Sequence, residues 1–143
     1  MKLKKSERHL FGWLGLLTYF SGASLFLFSH WIRVHTEIGE QHHRFEPWNR
    51  VAHTTLTYLI VLSVGYLIKS HVIPALRSKH PRRQATGILI LVIFGILLLT
   101  ALITLYAGEG AVPDAARWFH AIVGLSLPIF VIVHLSQPKS EET

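Results

Sequence analysis

Ten histidines and no cysteine set the chemistry within reach of this chain. Without thiols there are no disulfides, thiolate metal sites, iron–sulfur clusters or C-x-x-C-H attachments of a covalent haem. Four histidines lie in apolar surroundings at telling intervals. His53 and His71 are 18 residues apart, five full turns at 100° per residue, and His120 and His134 are 14 apart, within about 40° of four turns. Each pair puts two imidazoles on one helix face, one toward each end. Neutral imidazole is a good iron ligand, and two facing imidazoles between apolar walls suit bis-histidine ligation of a flat porphyrin. Arg50 and Arg117 precede His53 and His120 in the shared pattern R-x-x-H. That spacing sets an arginine one turn outward on the ligand's face, where it meets haem propionates.

The elements that must carry these residues are apolar. The 143 residues are 50% hydrophobic and 15% charged, against about 25% charged in a soluble domain. Four runs account for this: Leu10–Ile32, Val51–Ile68, Thr86–Ala107 and Ala115–Ser136. Each is long enough for a helix to cross about 30 Å of hydrocarbon. The first is too long for a cleavable signal peptide and lacks a small-residue cleavage site. Packed in a soluble protein, four such runs would leave almost no polar face. The expectation is a single all-α membrane domain over 1–143, with transmembrane helices at about 10–32, 51–73, 86–107 and 115–136. Short connections favour an antiparallel, up-down-up-down four-helix bundle.

Ten of the 14 Lys and Arg residues precede the first run, separate the second from the third, or follow the fourth. The positive-inside rule then places both termini in the cytoplasm. The net charge of +6 reads as a topology signal rather than a nucleic-acid footprint. In this arrangement the second and fourth helices are parallel, so His53 is level with His120 on the outer side and His71 lies near the level of His134 on the inner side. Gly12, Gly15, Gly22, Gly65, Gly95 and Gly124 allow either a flat ring or a neighbouring helix to approach closely. Trp13, Trp31, Trp48 and Trp118 fall near helix ends as an aromatic belt.

The segment H-A-I-V-G-L-S-L-P-I-F-V-I-V-H from His120 to His134, with W-N-R-V-A-H leading into the second helix, resembles the b-type cytochrome subunits of membrane-bound hydrogenases and formate dehydrogenases. More broadly it resembles the bacterial di-haem cytochrome b superfamily. The likeness covers essentially the whole four-helix chain. It implies two non-covalent b haems, exchange with the quinone pool and a redox partner protein in the bacterial cytoplasmic membrane. It also implies an electron-transfer subunit of an oxidoreductase complex rather than a self-contained enzyme, with one haem held between the second and fourth helices. In that type the other haem can take its ligand from the start of the first helix, so His9 competes with His71 as partner of His134.

The residues leave that choice open. His53 to His71 spans about 27 Å of helix and His120 to His134 about 21 Å, a difference that a kink at Pro74 or a tilt absorbs. The five-turn register favours His71. His30 reads as an interfacial or propionate-contacting residue, and His80 as a surface residue. His35, His42 and His43 share the outer loop with Glu37, Glu40 and Glu46, which suits a solvated loop, a metal site or partner docking at 33–50. Two rival functions remain. One is transition-metal transport or sensing by the membrane histidines, disfavoured by the lack of Asp, Glu and Cys in the runs. The other is a cofactor-free accessory subunit whose histidines only hydrogen-bond between helices.

Overall fold

A computed structural model describes residues 4–37, 39–77 and 81–137. In chain order the elements are α1 (Lys5–His30), β1 (Arg33–Thr36), β2 (Gly39–His42), α2 (Glu46–Leu67), a π-helical turn (Ile68–Val72), α3 (Ile73–Leu76), α4 (Pro81–Tyr106) and α5 (Ala111–Ser136). Four helical stretches are long and apolar enough to cross a membrane: Lys5–His30, Glu46–Leu76, Arg82–Tyr106 and Ala111–Ser136. Large apolar side chains stand outward on them, with Leu62 72% and Leu135 68% exposed, as lipid-facing positions require.

The helices begin earlier than the apolar runs that mark them. Backbone hydrogen bonding continues through polar residues once a helix is nucleated, so α1 takes in Lys5, Glu7 and Arg8. The Lys4 backbone N–H donates to Glu7 Oε2 at 2.8 Å, satisfying one of the orphan donors there. The start of α2 is set by Pro47 in the first turn, where the missing N–H costs nothing. Gly108, at φ +72°, takes the left-handed conformation just after α4 that glycine adopts most readily.

Beyond Leu67 the second helix does not run on as a regular α-helix. Proline at position 74 has no N–H for the Ser70 carbonyl, and its ring would collide with that carbonyl in an α-helix. The turn immediately before it opens to π geometry over Ile68–Val72, and helix resumes over Ile73–Leu76. A π turn accommodates an extra residue, so side chains within and beyond it fall behind α register, by roughly 100° for a full insertion. His71 lies inside this turn. The five-turn relation between His53 and His71 assumes an unbroken α-helix and does not survive it intact.

The connection between α1 and α2 is not irregular throughout. Arg33–Thr36 and Gly39–His42 form a two-stranded antiparallel hairpin with His35 opposite Glu40 and Arg33 opposite His42. The Thr36 hydroxyl donates to the Gly39 carbonyl at 2.8 Å, and Gly39 has φ +110°. Both strands are exposed. With neither face apolar, no periodic hydrophobic pattern announces them.

The chain divides into two compact units at His71/Val72. In the first, α1 pairs with α2 along a polar seam. Tyr66 Oη donates to Glu7 Oε1 at 2.8 Å, Ser21 Oγ meets His53 Nδ1 at 3.0 Å, and Asn49 Nδ2 donates to Ser24 Oγ at 2.8 Å. Partners late in one helix thus meet partners early in the other. In the second unit α4 pairs with α5, with Ile93, Ala116 and Pro113 buried. The Gln84 side chain donates to the Ala75 and Leu76 carbonyls at 3.0 and 3.2 Å, closing the end of α3.

An interhelical hydrogen bond in a membrane protein is worth about 0.6–1.7 kcal/mol. Asn49→Ala is therefore expected to lower stability by about that amount. Unfolding in mixed micelles should show most of the loss shared with Ser24→Ala in a double-mutant cycle.

Candidate functional site

His53, on the third turn of α2, is half-buried against α1. Its Nδ1 lies 3.0 Å from Ser21 Oγ, and the Thr18 carbonyl also hydrogen-bonds the ring. The Ser21 hydroxyl donates to that same carbonyl at 2.9 Å. Gly22 gives the ring its room: a Cβ at this position would sit 2.8 Å from His53 Cε1 and 3.3 Å from Nδ1. Here the absence of a side chain is a condition of the packing.

Two histidines of α5 repeat the arrangement on α4. His120 Nδ1 is 2.9 Å from Thr100 Oγ1 and 3.1 Å from the Leu97 carbonyl. Thr100 donates back to the carbonyls of Ile96 at 2.9 Å and Leu97 at 3.0 Å, and it is only 7% exposed. His134 Nδ1 is 2.9 Å from Thr86 Oγ1, whose hydroxyl faces the carbonyls of Arg82 and Arg83 at 3.3 and 3.2 Å. A Cβ on Gly87 would stand 3.4 Å from His134 Cε1. The two threonines are 14 residues apart, as are the two histidines, so both rings meet α4 from one face of α5. Pro128 lies between them inside α5.

A carbonyl oxygen can only accept, so His120 Nδ1 carries the proton it gives to Leu97. In a neutral ring with Nδ1–H, the lone pair resides on Nε2. Iron-ligating histidines in proteins ordinarily have such a second interaction, which fixes tautomer and ring orientation. The chemistry of the donor set therefore fits a haem: neutral imidazoles on apolar helices, each held at Nδ1.

The other expected residues are placed differently. His71 is half-buried within the π turn, whereas His9, on the first turns of α1, is exposed. Arg50 Nη2 is 2.8 Å from Glu46 Oε1, and Arg117 Nη1 is bonded to Asp114. Each R-x-x-H arginine is thus already neutralised by an acid one turn before it. Glu46 is 3% exposed in its side chain and holds His42 Nδ1 on its second oxygen, with Ser29 also donating to it. His30 Nδ1 lies 3.0 Å from the Phe26 carbonyl of its own helix.

The histidines of the connection between α1 and α2 are spread among separate partners. His35 pairs across the hairpin with Glu40 at 3.7 Å, and His43 lies between the rings of Phe28 and Phe45, at centroid distances of 5.2 and 5.4 Å. The Phe45 N–H donates to His43 Nδ1 at 3.3 Å, the opposite tautomer to that of His120. Among the described residues no three His, Cys, Asp or Glu side chains converge on a metal position. His80 lies outside the described residues. Of the six glycines singled out in the sequence, Gly22 meets a histidine and Gly124 meets Leu97 at 3.7 Å, while Gly12, Gly15, Gly65 and Gly95 have open space where a Cβ would be.

No protein-family model, curated relative or solved structure matches this chain.

Sequence reasoning passed over Ser21, Thr86, Thr100 and Gly87. Their signal is local: each hydroxyl residue is followed by a small one, Ser21-Gly22, Thr86-Gly87 and Thr100-Ala101. The contrast among glycines is testable by thermal unfolding in detergent. Gly22→Ala is expected to destabilise by about 1–3 kcal/mol through overpacking. Gly15→Ala, which meets nothing, should be neutral or stabilising by up to about 1 kcal/mol through helix propensity.

Proposed function

We propose that this chain is a di-haem b-type membrane cytochrome, an electron-transfer subunit that relays electrons between the quinone pool and a redox partner protein. The observation that carries the reading is the shared state of His53, His120 and His134. Each is a half-buried imidazole on a membrane-length helix with Nδ1 held by a hydroxyl of the neighbouring helix. The resemblance of the His120–His134 segment to cytochrome b subunits supports the same reading.

In this proposal the helices form an antiparallel up-down-up-down bundle in the bacterial cytoplasmic membrane with both termini cytoplasmic, as the basic residues favour. His53 and His120 are the axial ligands of the outer haem, and His134 is one ligand of the inner haem, with His71 or His9 as the other. Two b haems would supply reversible one-electron transfer at potentials set by ligation, burial and hydrogen bonding. The residues of the chain bind and orient. The paired imidazoles fix ring position, and the apolar helix faces exclude water. Arg50 and Arg117, each tied to a carboxylate, offer guanidinium donors to the outer propionates while leaving little net charge near the hydrocarbon. The hairpin and loop over 33–50 present the outer docking surface for the partner.

A transition-metal relay would need clusters of three or more donors, and among the described residues none converges.

The full chain purified in detergent is expected to give a low-spin b-haem spectrum on dithionite reduction, with two haems per chain. A colourless protein overturns the proposal. His53→Ala, His120→Ala and His134→Ala should each lose at least one haem. The inner ligand is read directly: loss on His71→Ala with retention on His9→Ala assigns His71, and the reverse assigns His9.

A further inference from the structure

Resting on the haem reading, we infer that Ser21, Thr86 and Thr100 are positioning residues. Each, with the carbonyl three residues before it, forms a seat that holds one imidazole as its Nδ1–H tautomer and fixes the plane of the ring.

The three seats share one construction. A hydroxyl at position i on the first helix of each pair, α1 or α4, turns back toward its own helix at i−3: Ser21 to Thr18, Thr86 to Arg83, Thr100 to Leu97. A hydroxyl has one proton. With that proton given to the backbone, its oxygen can only accept from the ring. At His120 the Nδ1 is also bonded to the i−3 carbonyl itself, which permits no other direction. The residue after each hydroxyl is Gly22, Gly87 or Ala101; at Gly22 the ring lies too close to admit a Cβ, and at Gly87 it lies in contact distance of one.

Back-bonding by Ser and Thr is common in membrane helices and is not in itself a seat. Ser63, Ser126 and Thr104 make the same kind of bond and close on their own helices alone. What sets Ser21, Thr86 and Thr100 apart is a ring nitrogen at 2.9–3.0 Å on the same oxygen. Donation from Nδ1–H raises the basicity of Nε2 and so favours ferric over ferrous iron. Loss of the hydroxyl weakens that donation, leaving at His120 the Leu97 carbonyl alone, and should raise the midpoint potential of the haem concerned. It should also loosen the ring, changing the angle between the two ligand planes.

The test uses the full chain in detergent, with haem counted as the pyridine haemochrome, potentials from redox titration and ligand geometry from the g-values of the oxidised haems. Ser21→Ala and Thr100→Val are expected to act on one and the same haem, raising its potential and shifting its g-values. Thr86→Val should act on the other. Haem affinity at the affected site should fall by about 10–100-fold. Ser21→Thr and Thr100→Ser keep the hydroxyl and should restore the wild-type signals. If Thr100→Val does not accumulate, Ser21→Ala decides, because it removes a single oxygen beside the same haem.

Wild-type protein with two haems whose g-values and potentials are unmoved by Ser21→Ala and Thr100→Val overturns the inference and leaves the haem reading standing. Ser21→Ala and Thr86→Val moving one shared signal also overturns it. Wild-type protein without haem overturns both.

Discussion

Hydrocarbon supplies no hydrogen-bond partner, and an imidazole has two nitrogens that each require one. A histidine placed within a membrane-spanning helix must therefore be met by a polar group of protein. In this chain the groups come from the adjacent helix, and a hydroxyl is reached only where the two backbones run close together. Much of the local architecture follows. Gly22 and Gly87 stand where the rings approach, the hydroxyls are tied back to their own helices so that they present an acceptor, and the helix pairs are locked in register by contacts 14 residues apart on α4 and on α5. A polar seam in an apolar pair also specifies alignment, since slipping either helix by a residue would strand several donors at once.

Toward the loop end of α2 the demand changes from single hydrogen bonds to full charges. Glu46 is among the most buried of the described residues, yet it is a carboxylate with Arg50 on one oxygen and His42 on the other. Removing either partner would leave part of a buried charge unmatched, whereas the same pair on an exposed surface would contribute little. Asp114 and Arg117 repeat the acid–arginine combination at the start of α5 in a more exposed setting. The helix starts that precede His53 and His120 are thus electrically balanced locally, which limits the cost of placing their arginines near lipid.

The four spans were legible because hydropathy over some twenty residues is a strong signal and the bilayer fixes the length required. The histidine periodicity of α5 was legible because a regular helix converts a 14-residue interval into one face. That logic stops at His71, because Pro74 forces a π turn whose phase depends on how the preceding carbonyls relax, and the sequence shows the proline without showing the turn. The Arg33–His42 hairpin escaped notice because its strands bury nothing. The seats at Ser21, Thr86 and Thr100 lie at a different scale. Serine and threonine are frequent in membrane helices for reasons of packing, so their meaning emerges only when the partner helix shows which of them a ring nitrogen touches.

The seams have a further consequence for assembly in the membrane. Ser21 with His53 and Ser24 with Asn49 lie wholly within the first unit, and Thr86 with His134 and Thr100 with His120 wholly within the second. During synthesis, α1 and α2 can leave the insertion machinery as a hairpin whose contacts satisfy these groups before α4 has been made. The second hairpin can do the same for its own histidines. No intermediate then has to carry these imidazoles into lipid without the hydroxyls that receive them.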